Sequence, residues 1–159
     1  MFRFLCPNPP VELLTSKLLD EKSCYASFER DLKACRQEVL IESPFITTRR
    51  LGYLMPVFKR LRSRGVQIVM NTRSPEEQAS EFMMEESRRA VSNLQDLGAL
   101  VLYTGRHHRK LAILDRRILY EGSLNILSQN DSCEVMRRIE SERLAEQMMR
   151  FVKLDKFVH

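Results

Sequence analysis

The residues best suited to chemistry lie between His108 and Asn125. His108 is followed two positions later by Lys110, then by Asp115, and then by Gly122-Ser123 and Asn125. An imidazole titrates near neutrality, so it can attack phosphorus or move a proton. An ammonium beside it can hold non-bridging phosphate oxygens and stabilise the charge that develops on them. Asn125 adds a neutral donor, and Gly122-Ser123 offers a tight turn with a hydroxyl and amide groups. Side chains alternate along a strand, so His108 and Lys110 share one face while His107 and Arg109 point the other way. Any one of these residues is commonplace in a structural role. Their joint spacing is what points to a phosphate.

That spacing resembles the signature of the phospholipase D superfamily: histidine, any residue, lysine, four residues, aspartate, about six residues, glycine-serine and an asparagine. Here it reads His108, Lys110, Asp115, Gly122, Ser123 and Asn125, with apolar filling from Leu111 to Leu114. Ile41-Glu42-Ser43-Pro44-Phe45, followed by a helix and Arg64-Gly65-Val66, looks like the first half of the same domain, and Glu134 resembles the acid that follows the motif. The likeness covers the chain from about residue 25 onward. It implies a metal-independent, two-step mechanism in which one histidine forms a phosphohistidine and a second, from another copy of the motif, protonates the leaving group. Asp115 and Glu134 would orient and charge-balance the histidines, and no cofactor is needed.

Only one copy is present, and residues 1–106 contain no histidine. If this mechanism operates, two chains must bring two His108 residues together, most simply about a twofold axis. The expectation is therefore a homodimer with a shared site. Arg106, Arg116 and Arg117 surround the motif and are candidates for tracking the phosphates of DNA or RNA, with Arg109 the weakest of the set because it faces away from Lys110. The motif is silent on what lies beyond the phosphate. A phospholipid hydrolase or transferase, and a non-catalytic nucleic-acid-binding module, are the alternatives.

The elements that must position these residues follow from apolar periodicity. Helices are expected over 11–20, about 24–36, about 48–64, from Ser74-Pro75 to about Leu97, and over 141–156. The one over 48–64 should be kinked or divided at Pro56, and it carries Arg49, Arg50, Arg60 and Arg64 on a face that is either solvated or turned to phosphate. Strands are expected at Glu38–Glu42, Val66–Asn71, Ala99–Tyr103, Arg109–Leu114, Ile118–Glu121 and Cys133–Ile139. Continuous apolar runs such as Val39-Leu40-Ile41 suit strands covered on both sides. The sum is an α/β fold, a mixed β-sheet flanked by helices on both faces, in a single domain spanning 1–159 whose first 23 residues form an extension.

The whole-chain properties narrow the class. A net charge of +5 favours anionic partners. Cys6, Cys24, Cys35 and Cys133 form no C-x-x-C pair, which disfavours a zinc site and fits reduced thiols in the cytoplasm. No apolar run reaches the roughly 18 residues of a membrane-spanning helix.

Overall fold

A computed structural model describes residues 15–128 and 133–158. Seven strands form one sheet in the order β1-β7-β6-β5-β2-β3-β4. They are β1 (Lys17–Leu19), β2 (Glu38–Glu42), β3 (Gln67–Thr72), β4 (Leu100–Tyr103), β5 (Leu111–Leu114), β6 (Ile118–Gly122) and β7 (Met136–Glu140). The β2-β3-β4 pairings are parallel and the others antiparallel. β2 thus stands where the direction changes, parallel to β3 on one side and antiparallel to β5 on the other.

The helices are α1 (Glu21–Ala34), α2 (Thr48–Ser63), α3 (Glu81–Asp96) and α4 (Glu142–Phe151). Phe28, Leu54, Phe58 and Leu94 bring α1, α2 and α3 onto one face of the sheet, against Val39, Ile41, Met70, Ala112 and Tyr120. Ala145 and Met149 bring α4 onto the other face, against Leu40, Val69, Ile113 and Leu119. The alternation Val39/Leu40/Ile41 is therefore split between two cores, as a strand buried on both sides requires. Inside the larger core, the Tyr120 hydroxyl donates to Asp31 at 2.6 Å and Arg138 Nε donates to the same carboxylate at 2.5 Å, tying α1 to β6 and β7.

The sheet with helices on both faces is as expected, and several boundaries differ, β7 beginning at Met136 rather than Cys133 and α4 ending at Phe151 rather than at 156. Residues 17–19 are an edge strand paired with β7 rather than the end of a helix over 11–20, and 11–14 lie outside the described residues. Asp20 accepts from Ser23 N at 2.8 Å and starts α1 there, three residues before the expected start at about 24. Ser74-Pro75 opens only a single 3-10 turn (Pro75–Glu77), because the Ser74 hydroxyl binds Glu76 instead of a backbone N–H. Ser80 supplies the true cap of α3, accepting from Met83 N. Pro56 does not divide α2, which runs unbroken across it.

Candidate active site

Leu111 of β5 pairs with Glu42 of β2, and Asn71 of β3 pairs with Glu42 from the other side. Residues 104–110 therefore arrive at the C-terminal ends of the parallel strands, beside the strand where direction changes. Open α/β sheets place their ligand crevices at that kind of position. β5 itself begins at Leu111, so His108 and Lys110 lie in the extended approach to the strand rather than within it.

What pins this approach is a buried carboxylate. Glu42 is fully buried; its Oε2 is 2.6 Å from Arg109 Nε, and its Oε1 accepts from Arg109 at 2.8 Å and from Asn71 Nδ2 at 2.8 Å. Burial raises its pKa, and the Asn71 and Arg109 contacts counter only part of that rise. Asn71 Oδ1 in turn accepts from Thr104 at 3.0 Å. Arg109 is thus turned inward as an anchor. His107 is buried beside it, and burial first, then the Arg109 charge, depress its pKa to about 4. With both neighbours turned inward, His108 is exposed and Lys110 half-exposed, its Nζ donating to the His108 carbonyl at 2.9 Å.

A second cation meets the histidine from β3. Arg73 follows the last residue of that strand; its Nε donates to the His107 carbonyl at 2.7 Å, and one terminal nitrogen lies 2.7 and 3.1 Å from the two ring nitrogens of His108. The Arg73 guanidinium also stands 5.1 Å from the centre of the Phe45 ring. Arg73, Phe45 and Glu42 were given no role on sequence grounds. The available signal was their position, each at or just beyond the C-terminal end of a buried parallel strand.

Gly122, Ser123, Asn125 and Glu134 belong to the same end of the sheet. Gly122 N donates to the Lys110 carbonyl at 3.3 Å. Gly122 is glycine because a Cβ there would collide with the Val135 carbonyl and stand 2.9 Å from the Met136 Cα; no left-handed turn is involved. Ser123 is likewise used structurally, since its N donates to the Val135 carbonyl at 2.9 Å and its hydroxyl accepts from Val135 N at 3.1 Å. Asn125 is half-buried and its Oδ1 is a buried acceptor without a hydrogen bond among the described residues. Glu134 precedes Val135 and acts electrostatically on Tyr25. Arg106 is exposed at the same end, its N donating to Glu77 at 3.1 Å.

Three candidates are elsewhere. Asp115, Arg116 and Arg117 follow β5 at its other end, on the order of 15 Å from Lys110 at about 3.3 Å per strand residue. Asp115 cannot orient His108 from there. Its carboxylate instead accepts from the backbone N–H groups of Arg36, Gln37 and Glu38 at 2.8–3.2 Å and seals the start of β2. Arg116 pairs with Glu38 at 2.9 Å and Arg117 with Glu140 at 3.8 Å, so neither tracks a phosphate held by His108. Arg50 is also not on a phosphate face. It is buried 4.0 Å from the Tyr25 ring centre with its Nε donating to the Ile126 carbonyl at 3.2 Å, and Tyr25 donates to the Ser128 carbonyl at 3.2 Å. These contacts brace the segment that carries Asn125. Among the described residues no group of three or more His, Cys, Asp or Glu side chains is arranged to hold a metal ion.

Residues 28–155 match the family model described as cardiolipin synthase, PLD-like domain. The chain belongs to the phospholipase D superfamily. Its phospholipase D-like fold matches a phospholipase D family member, Nuc, from Salmonella typhimurium, with a TM-score of 0.68 and 15% identity over 86% of this chain and 91% of that one. It matches NucT from Helicobacter pylori with a TM-score of 0.70 and 18% identity over 87% and 92%. TrmBL2, an archaeal chromatin protein whose structure shows a mode of DNA binding, matches with a TM-score of 0.60 and 12% identity over 98% of this chain and 56% of that one. No curated protein matches the sequence significantly. The shared fold is that of superfamily phosphodiesterases, and among the described residues of this phospholipase D-like domain no helix is long and apolar enough to cross a membrane.

Proposed function

We propose that this protein is a metal-independent phosphodiesterase that hydrolyses nucleic acid through a phosphohistidine on His108, at a site shared by two chains. The observation that carries the proposal is the environment of His108: an exposed imidazole at the sheet's C-terminal edge with Arg73 against its ring and Lys110 two residues on. A phosphodiester entering there meets two cations for its non-bridging oxygens, which supply the electrostatic stabilisation otherwise asked of a metal. A neutral imidazole nitrogen attacks phosphorus, the bond to the leaving alkoxide breaks, and the partner chain's copy of the histidine donates the proton that the alkoxide takes up. The same partner imidazole then removes a proton from water, whose oxygen displaces the histidine from phosphorus. Asn125 adds a donor to the phosphate oxygens, and Glu134 balances charge at the same end of the sheet. Arg106 extends the positive surface along a bound strand.

Hydrolysis or transfer of a phospholipid is the second reading, favoured by the cardiolipin synthase description of the matching family. One experiment separates them. Single- and double-stranded DNA, RNA and phosphatidyl lipid vesicles are incubated with the protein in EDTA. Cleavage of nucleic acid that persists in EDTA and is abolished in His108→Ala, with far-UV circular dichroism unchanged, is expected. Lipid turnover without nucleic-acid cleavage overturns the substrate, and full activity in His108→Ala overturns the mechanism.

A further inference from the structure

Beside the candidate site a cavity of about 170 Å³ opens between the β2–α2 connection, the 3-10 turn and α3. Phe45, Ile46, Gln78, Glu86, Ser87 and Ser128 line it. Phe45 joins it to the histidine, because Arg73 reaches both the Phe45 ring and His108. Ser87 and Ser128 are each 2% exposed, and the hydroxyl of each lacks a hydrogen-bond partner among the described residues. Buried hydroxyls are normally paired, so two unpaired ones on one cavity wall mark a place where a ligand's polar atoms complete the structure.

The lining states which atoms. Among the described residues no lysine or arginine lines the cavity, and its one ionisable group is the Glu86 carboxylate. Glu86 Oε1 accepts from Thr48 N at 3.3 Å and Thr48 Oγ1 at 3.0 Å, which leaves Oε2 for an incoming N–H. A second phosphate is repelled here, and a nitrogen donor is held. Choline-like headgroups are recognised by several aromatic rings around one cation, whereas this cavity has one flat ring and five polar side chains, Thr47 among them, set at different points on its wall. That pattern suits a planar heterocycle whose edge carries both donors and acceptors.

Resting on the phosphodiesterase reading, we infer that the Phe45–Ser87–Ser128 cavity binds the base next to the scissile phosphate and selects one bearing an exocyclic amine. The base packs along Phe45, its amine donates to Glu86, and the serine hydroxyls and the Gln78 amide meet its remaining polar edge.

Binding tests this without turnover. Cytidine and uridine 3′-monophosphate are titrated into His108→Ala protein by calorimetry, with inorganic phosphate and phosphoethanolamine as controls. Cytidine monophosphate is expected to bind about tenfold more tightly than uridine monophosphate, since in the same pose Glu86 accepts from the cytosine C4 amine but is repelled by the uracil C4 carbonyl. Glu86→Gln, which retains the Thr48 contact, should erase the preference while leaving phosphate binding intact, and Ser87→Val should do so by filling the cavity. Equal binding of both nucleotides, with phosphate still bound, overturns the cavity assignment and leaves the phosphate site standing. Phosphoethanolamine binding that is lost in the same variants reassigns the cavity to a lipid headgroup. Failure to bind any phosphate ester overturns both readings.

Discussion

Two adjacent histidines have opposite fates because their surroundings differ by one side-chain direction. His107 is sealed beneath the loop with its Nε2 unpaired, next to Arg109, while His108 is exposed beside Arg73. His107 is depressed to about 4 by burial and then by the Arg109 charge, below the ordinary value of 6.5. A folded-state pKa below the unfolded one means the unfolded chain takes up the proton first. The stability held by neutral His107 is therefore complete above pH 6.5 and lost as pH falls toward 4, by up to about 3 kcal/mol. Urea midpoints should show wild type losing that much more stability than His107→Gln across this window. Parallel pH profiles for the two proteins would show that His107 carries no such linkage.

At the scale of elements, the histidine loop is held by the Glu42–Arg109–Asn71 cluster rather than by strand pairing. Removing Arg109 leaves Glu42 buried and charged. Breaking such a pair costs about 3–5 kcal/mol, and because the Arg109 side chain is 40% exposed the lower end applies. Glu42 already sits above its ordinary pKa through burial. The penalty in Arg109→Met is thus fullest above its folded-state pKa and fades as acid neutralises the carboxylate. Denaturation of wild type and Arg109→Met should differ by about 3 kcal/mol at pH 7 and converge as pH falls; a gap that widens in acid would contradict the buried-charge account. This cluster also shows what a sequence exposes and what it hides. The apolar runs of β2, β3 and β5 and the outward direction of His108 and Lys110 are periodic properties, so they are readable in order along the chain. Asp115 sits in the motif by spacing, yet a strand separates it from His108, and spacing carries no information about which end of a strand a residue caps. Arg73 and Phe45 come from two other connections and meet His108 only through the sheet order. Serines at 74 and 80 both precede acidic residues, and only three-dimensional packing decides which one caps α3.

On the scale of the whole molecule, the candidate site lies at one end of a seven-stranded sheet, and the proposed mechanism makes it half of a shared site. His107 is buried and committed to the fold, and His108 is the one histidine of the described residues that is exposed at that end. The proposed chemistry needs an acid to protonate the leaving oxygen while His108 holds the phosphorus, and a single imidazole cannot do both at once. In the proposed mechanism Lys110 and Arg73 bind the phosphate oxygens, and a second His108 about a twofold axis supplies the proton. The consequence is measurable by mixing. When wild type and His108→Ala chains are unfolded together and refolded at fixed total concentration, a shared site makes nuclease activity fall as the square of the wild-type fraction, because only dimers with two intact histidines turn over. Activity that falls in simple proportion would mean that each chain works alone. Sedimentation of the same mixtures, run alongside, establishes that the variant still pairs, so a proportional decline could not be blamed on failed assembly.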